Sequence, residues 1–344
     1  MSRRVGIGVI GCGAIADLIH LPAYKETGHA QLLAVCDIDE MRAKSTAKKF
    51  GIEAWYTDYE KILERKDVDA VSICTPNFLH CEQAVAAAEA GKHVFVEKPM
   101  ATTLEECDQM IRSCEGSNVK LMVGHNERFN PTNEKIKEIL DEGLIGTVFE
   151  IRSHISYGGP YEGWPAVSDW FFDIGKAGGG CLIDVGGHVF DVFRWFVGDV
   201  QSVSAFLGSL AKETKVEDNA MVLLTFRRNA IGECDISWTY KGFENSREIL
   251  GTEGGIFVGA APSPIAVYTE KKVPEALRGL LHPTFPVSLA EQIAYQKKKI
   301  SHFIETIMED KEPFVTGYDG RAALEIVLAA YKSARTGKVV CLPD

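Results

Sequence analysis

The stretch that decides the fold is Val5–Ala16, which reads VGIGVIGCGAIA and leads from an apolar strand into a glycine turn. In a G-x-G-x-x-A turn, Gly11 permits the tight bend, Gly13 lets the backbone approach a pyrophosphate, and Ala16 allows close contact between helix and strand. The N-terminus of the next helix then faces the phosphates. Alone the motif could be a plain glycine turn, but a strand before it and a helical pattern after it favour a dinucleotide site. The predicted cofactor-binding residues here are Gly11, Gly13, Ala14 and Ile15.

Asp37 follows the second apolar segment, Gln31–Cys36. A carboxylate at this place accepts hydrogen bonds from the adenosine ribose and repels a 2′-phosphate. The next residues, Ile38-Asp39, include no arginine that would neutralise such a phosphate. The sequence therefore predicts NAD as the cofactor, with NADP disfavoured. The alternative is a solvated aspartate at the end of a strand.

A lysine motif, Glu97-Lys98-Pro99, follows the apolar segment His93–Val96. A strand that delivers Lys98 beside a bound nicotinamide places a titratable cation where a hydroxyl must be activated. The combination of this lysine with the glycine turn is more specific than either motif alone.

Thr75-Pro76-Asn77 follows another apolar segment, Ala70–Cys74. Because ligands of an open parallel sheet bind at the carboxyl ends of its strands, we expect Thr75 and Asn77 to line the nicotinamide side of the site. His80 opens the next helix. It is predicted either to contact the ligands or to serve a structural role.

The bulk composition is that of an ordinary globular protein. The chain has 344 residues, of which 46% are hydrophobic and 25% are charged, and this length favours two domains. The formal net charge of -11 argues against nucleic acid or an anionic membrane surface as a partner. No apolar run approaches the roughly 18 residues of a membrane-spanning helix.

The nine cysteines form no C-x-x-C pair, which is typical of a reducing compartment and not of a disulfide framework or a zinc site. The N-terminus resembles a signal sequence, since Arg3-Arg4 precedes an apolar run. Cleavage after that run would destroy the glycine turn, so the first strand of the fold is the favoured interpretation. We therefore expect a cytoplasmic protein.

Strands and helices alternate up to about residue 126, which predicts β-α-β units around a parallel sheet. The expected fold is α/β, with a doubly wound parallel sheet over residues 1–126 and an α+β domain over 127–344. The predicted strands of the first part are Val5–Ile10, Gln31–Cys36, Ala70–Cys74, His93–Val96 and Lys120–Val123. The predicted helices between them are Ala16–Thr27, Met41–Phe50, Tyr59–Arg65, His80–Ala90 and Leu104–Glu115.

The second part begins with a predicted helix, Asn133–Glu142, and then changes to strands in succession, which favours an open antiparallel sheet. A helix is expected at Cys181–Phe196, and Ala260–Pro286 is expected to be a surface excursion. The predicted strands are Val148–Ile155, Val200–Leu207, Asn219–Arg227, Ala230–Trp238 and Arg247–Leu250. Two helices, Leu289–Met308 and Gly320–Thr336, close the chain.

Asp184, His188 and Asp191 stand at i, i+4 and i+7 of the predicted helix Cys181–Phe196, on one face. A carboxylate beside an imidazole makes a proton acceptor that can be tuned near neutral pH. Glycines around this face, among them Gly178–Gly180, cost helix stability and imply that some group approaches the backbone closely. A capped helix with a structural histidine is the alternative. A metal site on these residues lacks a further ligand cluster, and no metal is predicted.

These motifs, in this order, resemble the Gfo/Idh/MocA family of glucose–fructose oxidoreductases and inositol dehydrogenases. The resemblance spans nearly the whole chain and is carried by Gly11 to Ala16, Thr75 to Asn77 with His80, Glu97 to Pro99, Asn126 to Phe129, Gly178 to His188 and Gly317 to Ala322. It implies an N-terminal Rossmann domain and a C-terminal domain on a large open antiparallel sheet that serves oligomerisation. The catalytic group it implies is Lys98, Asp184 and His188. The further cofactor contacts it implies are Glu97, at the nicotinamide ribose, and Asn126, Arg128 and Trp170.

The sequence therefore predicts an NAD-dependent dehydrogenase that acts on a secondary hydroxyl of a sugar or cyclitol. Two alternatives stay open, namely a sensor that binds NAD and sugar without catalysis and a redox-neutral glycoside cleavage that uses NAD. Substrate specificity is expected to lie in two loops, Ser156–Asp169 and Ala260–Pro286. The predicted partners are a small polyol or sugar and further copies of this chain, as a homodimer or homotetramer, because one face of the sheet would otherwise expose apolar residues near Val203, Ala205 and Leu207.

Overall fold

The structure, a computed structural model, describes residues 4–161, 169–259, 265–269, 271 and 289–343. Its contacts divide the chain into two compact units. The first unit comprises Met1–Asn126 and Ile293–Leu324, and the second comprises Glu127–Gln292 and Glu325–Asp344. The first break falls at Asn126, where the sequence places a domain boundary. The prediction that everything after it belongs to the second domain differs from this division, because Ile293–Leu324 makes its contacts within the first unit.

The first unit is built on a six-stranded sheet in the order β3-β2-β1-β4-β5-β6, in which all neighbouring strands run parallel. All six residues of β1 are buried, which explains its continuous apolar sequence. The strands are β1 (Val5–Ile10), β2 (Ala30–Cys36), β3 (Ala54–Tyr56), β4 (Ala70–Ile73), β5 (His93–Val96) and β6 (Leu121–Val123). The sequence did not predict the short strand β3, whose three residues are only partly buried.

The helices of this unit follow the predicted positions and are fixed by local signals. Gly51, in the left-handed conformation with φ 65°, ends α2, and Thr103 with Glu106 forms a capping box at the start of α5. The helices are α1 (Leu21–Glu26), α2 (Glu40–Phe50), α3 (Glu60–Leu63), α4 (His80–Glu89) and α5 (Leu104–Gly116). A π-helical segment, Ala16–His20, precedes α1 and was not predicted.

The C-terminal part of the chain returns to the first unit through parts of two long helices, α9 (Leu289–Glu309) and α10 (Gly317–Thr336). Phe303 of α9 packs edge-on against Phe95 of β5, with 5.5 Å between ring centroids. Gly320 of α10 lies so close to Val123 that a Cβ there would come within 2.8 Å of its methyl carbon. These apolar contacts are the physical reason that the predicted domain division misplaces this segment.

The second unit is built on an eight-stranded sheet in the order β13-β12-β11-β7-β10-β9-β8-β14. The strands are β7 (Val148–Ser156), β8 (Val200–Gly208), β9 (Asn219–Phe226), β10 (Ala230–Ser237), β11 (Glu244–Gly251), β12 (Gly254–Val258), β13 (Ile265–Thr269) and β14 (Val340–Cys341). The predicted antiparallel sheet is confirmed with one correction, because β7 and β10 pair in parallel and the sheet is therefore mixed. Strand periodicity shows that a segment is extended, but it does not tell which segment lies beside it.

Ile265–Thr269 forms a strand, although the sequence assigns it to a surface excursion over Ala260–Pro286. It pairs with Gly254–Val258, which the sequence also left unassigned. The remainder of Ala260–Pro286, apart from Lys271, lies outside the described residues, and so do residues 162–168, which are half of the predicted specificity loop Ser156–Asp169.

The helices of the second unit include α6 (Pro131–Asp141), α7 (Ile174–Ala177) and α8 (Gly187–Phe196). A π-helical segment, Leu182–Gly186, runs directly into α8, and the two together occupy the helix predicted at Cys181–Phe196. Short 3-10 turns lie at Asn77–Leu79 in the first unit, at Asn126–Phe129, and at Gly159–Tyr161 and Asp169–Phe172 in the second.

Burial alternates along β9 and β10, so that one face of the second sheet is covered and the other is open. Val203 and Ala205 are buried, whereas their neighbour Phe206 is 78% exposed. Of the residues that the sequence named, Val203, Ala205 and Leu207 with their neighbours, it is the neighbour Phe206 that lies on the open side. Within the described residues, none of the helices has the length and apolarity needed to cross a membrane.

Candidate active site

The glycine turn between β1 and the first helical segment has the geometry of a phosphate cradle. Gly11 has φ 92°, and a Cβ there would lie 2.7 Å from the carbonyl oxygen of Cys74, so only glycine fits. No atom of the described residues lies within 4 Å of the position a Gly13 Cβ would take, which leaves the backbone open to a ligand. Ala14 and Ile15 form the first helical turn, where free N–H groups favour an anion. The residues present therefore fit a pyrophosphate.

Asp37, directly after β2, is held by the glycine turn. One of its carboxylate oxygens accepts the backbone N–H of Cys12 at 2.9 Å, and the other accepts the N–H of Asp39 at 2.9 Å. Each oxygen retains a second lone pair with which to accept a ribose hydroxyl. Arg42, in the first turn of α2, brings a guanidinium nitrogen to 3.5 Å from Asp37. Arg42 is five residues from Asp37 in sequence, and the first turn of α2 brings it back to the carboxylate, which the tripeptide Asp37-Ile38-Asp39 does not reveal.

The residues after β4 form a turn that is tied to the rest of the unit. The hydroxyl of Thr75 donates to Gln83 at 2.7 Å, and Asn77 is buried in the 3-10 turn that follows. His80 is fully buried, with its two ring nitrogens 2.8 Å from the carbonyl of Thr75 and 2.9 Å from that of Pro99. Burial lowers the pKa of this imidazole. The ring therefore braces two loops, and its contact with a cofactor remains a prediction.

Glu97, directly after β5, lies in a buried cluster of polar groups. Oε1 of its carboxylate lies 2.7 Å from Nζ of Lys299, on α9, and 2.8 Å from Nε2 of His20. Oε2 accepts the backbone N–H of Lys98 at 3.2 Å. Burial alone would raise the pKa of Glu97, but the charge of Lys299 and the hydrogen bond from His20 outweigh it and hold the pKa well below its usual range. Burial lowers the pKa of His20 itself, so the main charge opposite Glu97 is that of Lys299. Glu97 is thus a fixed anion that holds the backbone of Lys98.

His20 reaches Glu97 from the π-helical segment Ala16–His20, and its own ring is held on the other side. Nδ1 lies 2.8 Å from the hydroxyl of Ser72 in β4, and that hydroxyl lies 3.0 Å from the hydroxyl of Tyr24. All three side chains are buried. Single π turns often occur at functional sites, and this one aims His20 at the carboxylate behind Lys98.

Asn126 ends the first stretch of the first unit and is buried, while Arg128 belongs to the second unit. The guanidinium of Arg128 forms a two-pronged ion pair with Asp191 of α8, at 2.7 and 2.9 Å, and both side chains are buried. The role of Arg128 near the cofactor stays a prediction. The structure gives Arg128 a second role, which is to anchor α8.

Asp184 and His188 lie in the π segment and in α8 respectively, and both are partly exposed among buried neighbours. Asp191, three residues after His188 in α8, is fully buried in its pair with Arg128, whereas Asp184 and His188 are partly exposed. The π turn between residues 182 and 186 shifts the helical register, which a constant period of 3.6 residues does not anticipate. The hydroxyl of Tyr157 donates to Oδ2 of Asp184 at 3.1 Å.

The glycines before this helix make room for groups of the protein itself. A Cβ on Gly179 would lie 1.9 Å from the hydroxyl of Tyr331, and one on Gly180 would lie 2.0 Å from the carbonyl oxygen of Glu217. The Glu217 carboxylate accepts the N–H groups of Gly180 and Leu182, and it accepts the Tyr331 hydroxyl at 2.7 Å. The predicted close approach to the backbone is confirmed, and its purpose is to hold the N-terminus of the helix that carries Asp184.

Trp170 is partly exposed in a 3-10 turn and stacks on Phe171, with 4.1 Å between ring centroids. Its cofactor contact is a prediction that this position does not test. Among the described residues, no group of three or more His, Cys, Asp or Glu side chains could hold a metal ion.

The structure brings the predicted residues together within each unit. Glu97 and Lys98 share one strand end in the first, and Asp184 and His188 share one helix in the second. The residues that sequence reasoning missed are His20, Lys299, Tyr157 and Glu217. His20 carries a weak signal, since it lies in the first helix after the glycine turn. The other three are far from their partners in sequence and carry none.

Comparisons with known proteins agree with this geometry. A family model described as the oxidoreductase family with an NAD-binding Rossmann fold matches residues 5–125, and the GFO/IDH/MocA C-terminal domain matches residues 133–257. The chain is 32% identical over 345 residues to myo-inositol 2-dehydrogenase of Thermotoga maritima, covering 98% of each chain. The chain therefore belongs to the Gfo/Idh/MocA oxidoreductase family, and its first unit contains an NAD-binding Rossmann domain.

Solved structures of similar proteins hold the cofactor and sugar ligands. The WlbA dehydrogenase from Bordetella pertussis, in complex with NADH and UDP-GlcNAcA, aligns with a TM-score of 0.90 and 27% identity over 100% of this chain and 99% of that one. A levoglucosan dehydrogenase in complex with NADH and levoglucosan aligns with a TM-score of 0.87 and 26% identity over 99% of this chain and 100% of that one. The open backbone at Gly13 and the carboxylate of Asp37 fit the same cofactor.

Proposed function

We propose that this protein is an NAD-dependent dehydrogenase that oxidises a secondary hydroxyl of a sugar or a cyclitol. The observation that carries the proposal is Lys98 at the carboxyl end of β5, with its backbone N–H held by the ionised Glu97. In an open parallel sheet, ligands bind beyond the carboxyl ends of the strands. The inositol in the name of one relative and the sugar ligands bound in two similar structures support the substrate class.

Lys98, Asp184 and His188 divide the proton chemistry of this reaction. The imidazole of His188 takes the hydroxyl proton of the substrate as general base, and Asp184 accepts a hydrogen bond from the substrate and balances the charge that His188 gains. The ammonium of Lys98 donates a hydrogen bond to the developing alkoxide. A bound NAD would supply the acceptor for the hydride, which leaves the substrate carbon that bears the alkoxide.

The cofactor is held, in this proposal, by the glycine turn and by the strand ends of the first unit. Gly11 and Gly13 admit the pyrophosphate, while Asp37 accepts the adenosine ribose and repels a 2′-phosphate, which favours NAD over NADP. Thr75 and Asn77 line the nicotinamide side. Contacts from Glu97, Asn126, Arg128 and Trp170 rest on the family resemblance.

An absorbance assay for NADH over a panel of inositols, levoglucosan and UDP-sugars tests the function. We expect reduction of NAD with at least one member of the panel. Two results would contradict the proposal. One is tight binding of NADH and sugar without turnover, which indicates a sensor. The other is release of free sugar from a glycoside without accumulation of NADH, which indicates redox-neutral cleavage.

We also propose that copies of this chain associate through the open face of the second sheet. Four apolar side chains support this, because they are more than half exposed on adjacent strands, namely Phe206, Met221, Leu223 and Ile231. Exposed apolar patches of this kind mark interaction surfaces. Light scattering at micromolar concentration should give a homodimer or a homotetramer, and Phe206→Glu should shift it toward the monomer. A monomeric wild-type protein would refute this arrangement.

A further inference from the structure

Asp184 is connected to two aromatic side chains by a chain of hydrogen bonds. The Tyr157 hydroxyl lies 3.1 Å from Oδ2 of Asp184, and Nε1 of Trp238 lies 3.1 Å from the same hydroxyl oxygen. Trp238 is fully buried and Tyr157 is half-buried. All three residues belong to the second unit.

The chemistry of these three side chains determines which group donates and which accepts each hydrogen bond. An indole N–H can only donate, so the Tyr157 oxygen accepts from Trp238. The single hydroxyl proton of Tyr157 is then left for Oδ2 of Asp184, which accepts it. Burial first, and then the charge of Asp184, raise the pKa of Tyr157 well above its usual value, so the hydroxyl keeps its proton. The orientation of this hydroxyl is therefore fixed.

The backbone around Tyr157 is fixed as well. Tyr157 directly follows β7, and its N–H donates to the carbonyl of Ser237 in β10 at 3.0 Å. Gly159, with φ 71°, lies so close to Trp238 that a Cβ there would come within 2.8 Å of its side chain. Trp238 thus holds Tyr157 both by its indole N–H and by packing under the turn that follows it.

We propose that Tyr157 is a positioning residue of the reaction, which fixes the orientation of the Asp184 carboxylate by donating to Oδ2, with Trp238 fixing the hydroxyl in turn. The inference rests on the proposed function and extends it to residues that do not touch the reacting carbon. The backbone of Asp184 is held within its π turn, where its N–H donates to the carbonyl of Gly180 at 3.2 Å. The Tyr157 hydroxyl adds a donor from the end of a strand, and this donor holds the carboxylate itself. Displacement of a positioned group by about 1 Å can cost roughly a hundredfold in rate.

Tyr157→Phe is the variant that tests this inference, because it removes one oxygen and keeps the ring. We expect kcat to fall roughly tenfold to a hundredfold, with little change in the KM for substrate, the Kd for NADH or the melting temperature. The primary deuterium isotope effect on kcat, measured with substrate labelled at the carbinol carbon, should rise because the hydride step becomes more rate-limiting. Trp238→Phe removes the indole N–H that holds the Tyr157 hydroxyl. It should lower kcat and raise the isotope effect as well, but by less than Tyr157→Phe.

Tyr318→Phe is the matched control. Its hydroxyl also donates to a carboxylate, that of Glu115 at 2.7 Å, but on the surface of the first unit, and we expect wild-type kinetics. An unchanged kcat and isotope effect in Tyr157→Phe, with a lowered melting temperature, would overturn the inference and leave Tyr157 as a structural tie. That result leaves the proposed function intact when the wild-type protein reduces NAD. Absence of turnover in the wild-type protein with the whole panel would overturn both.

Discussion

Glu97 in the first unit and Glu217 in the second are two enclosed carboxylates with opposite electrostatics. Glu97 lies against two basic side chains, Lys299 and His20, and its pKa is held well below the usual range despite its burial. Glu217 is half-buried, and its donors within the described part of the chain are neutral, namely two backbone N–H groups and the Tyr331 hydroxyl. Its burial outweighs these hydrogen bonds and raises its pKa.

The difference shows two ways to hold a residue of the proposed site. Basic partners keep Glu97 negative, so the backbone of Lys98 is held by a charge that does not change with pH near neutrality. Neutral donors give Glu217 a defined geometry without fixing its charge, and the helix that carries Asp184 is held through the glycine tract at its N-terminus. We infer that the first unit needs a constant charge at its strand end, while the second needs a constant position.

The largest effect is expected for Lys98→Met, because Lys98 is the group that the charge of Glu97 supports. Turnover should fall by roughly two to four orders of magnitude, the scale for losing a positioned acid–base or electrostatic group. NADH affinity and melting temperature should stay near the wild-type values. Steady-state kinetics, fluorescence titration with NADH and thermal unfolding measure the three quantities.

The matched control for Lys98→Met is Lys92→Met. Lys92 is a buried lysine of the same unit, and its ammonium donates to the carbonyls of Arg65 and Val68 at 2.8 and 2.9 Å. This variant should show the reverse pattern, with lower stability and normal activity per folded molecule. If Lys98→Met behaved like Lys92→Met, Lys98 would be a structural residue.

Lys299→Met and Glu217→Gln together compare how much the partners of the two carboxylates contribute to the unfolding free energy. Removing one partner of a buried ion pair costs about 3–5 kcal/mol of unfolding free energy. Here the Glu97 carboxylate loses the ammonium of Lys299 and keeps the hydrogen bond of His20. Glu217→Gln preserves an acceptor for the neutral donors and should cost about 1 kcal/mol or less. Urea unfolding of both variants measures the difference. Equal losses of unfolding free energy would show that the ion pair of Glu97 with Lys299 stabilises the fold no more than the hydrogen bonds of Glu217 do.

Asp37→Ser tests a third carboxylate, which is held by two backbone N–H groups and lies beside the exposed guanidinium of Arg42. Loss of the carboxylate removes charged hydrogen bonds to the ribose, worth about 1.5–3 kcal/mol, and leaves Arg42 to pair with a 2′-phosphate. The ratio of kcat/KM for NADP to that for NAD should rise roughly tenfold to a hundredfold. Adding Arg42→Ala should reverse part of the gain. A wild-type protein that prefers NADP would contradict the assignment of Asp37.

The smallest effect is the pH dependence of stability that Glu217 contributes. Because its pKa is raised on folding, the folded protein binds a proton more readily than the unfolded chain. The contribution is therefore full below the ordinary glutamate pKa and is lost as the pH rises through the raised value. The unfolding free energy of wild type relative to Glu217→Gln should fall as the pH rises from the ordinary glutamate pKa through the raised value.

The contribution of Glu97 to the unfolding free energy should change with pH in the opposite direction, since its pKa is lowered on folding. Its contribution is present above the ordinary glutamate pKa and is lost as the pH falls through the lowered value. A flat difference between wild type and Glu217→Gln over the same pH range would show that Glu217 is ionised as readily as in the unfolded chain, and a rising difference would show that folding lowers its pKa.

The features that the sequence predicted depend on residues that are close together along the chain. The glycine turn at Gly11 and Gly13, the strand-end acid Asp37 and the Glu97-Lys98-Pro99 motif each combine a strand with the few residues after it. Their positions at one edge of a parallel sheet follow from the β-α-β order. The same logic located Asp184 and His188 on one helix.

The features that it missed depend on contacts between distant segments. Lys299 meets Glu97 across 202 positions, and Tyr157 meets Asp184 across 27. Neither residue stands in a motif, so only the fold shows what it does. The π turns were not predicted for another reason. A single inserted residue changes the helical register, but it alters the apolar pattern of the sequence too little to be recognised.

The most direct test of the central claim is the transfer of labelled hydrogen from substrate to cofactor. A sugar or inositol that the protein oxidises is prepared with deuterium at the carbinol carbon, and the reduced nicotinamide is examined by NMR. The account predicts that deuterium appears at C4 of the nicotinamide in one stereochemical position, and that Lys98→Met forms the same labelled product much more slowly. Reduced cofactor without deuterium at C4, or product formation with the label retained in the sugar, would contradict the account.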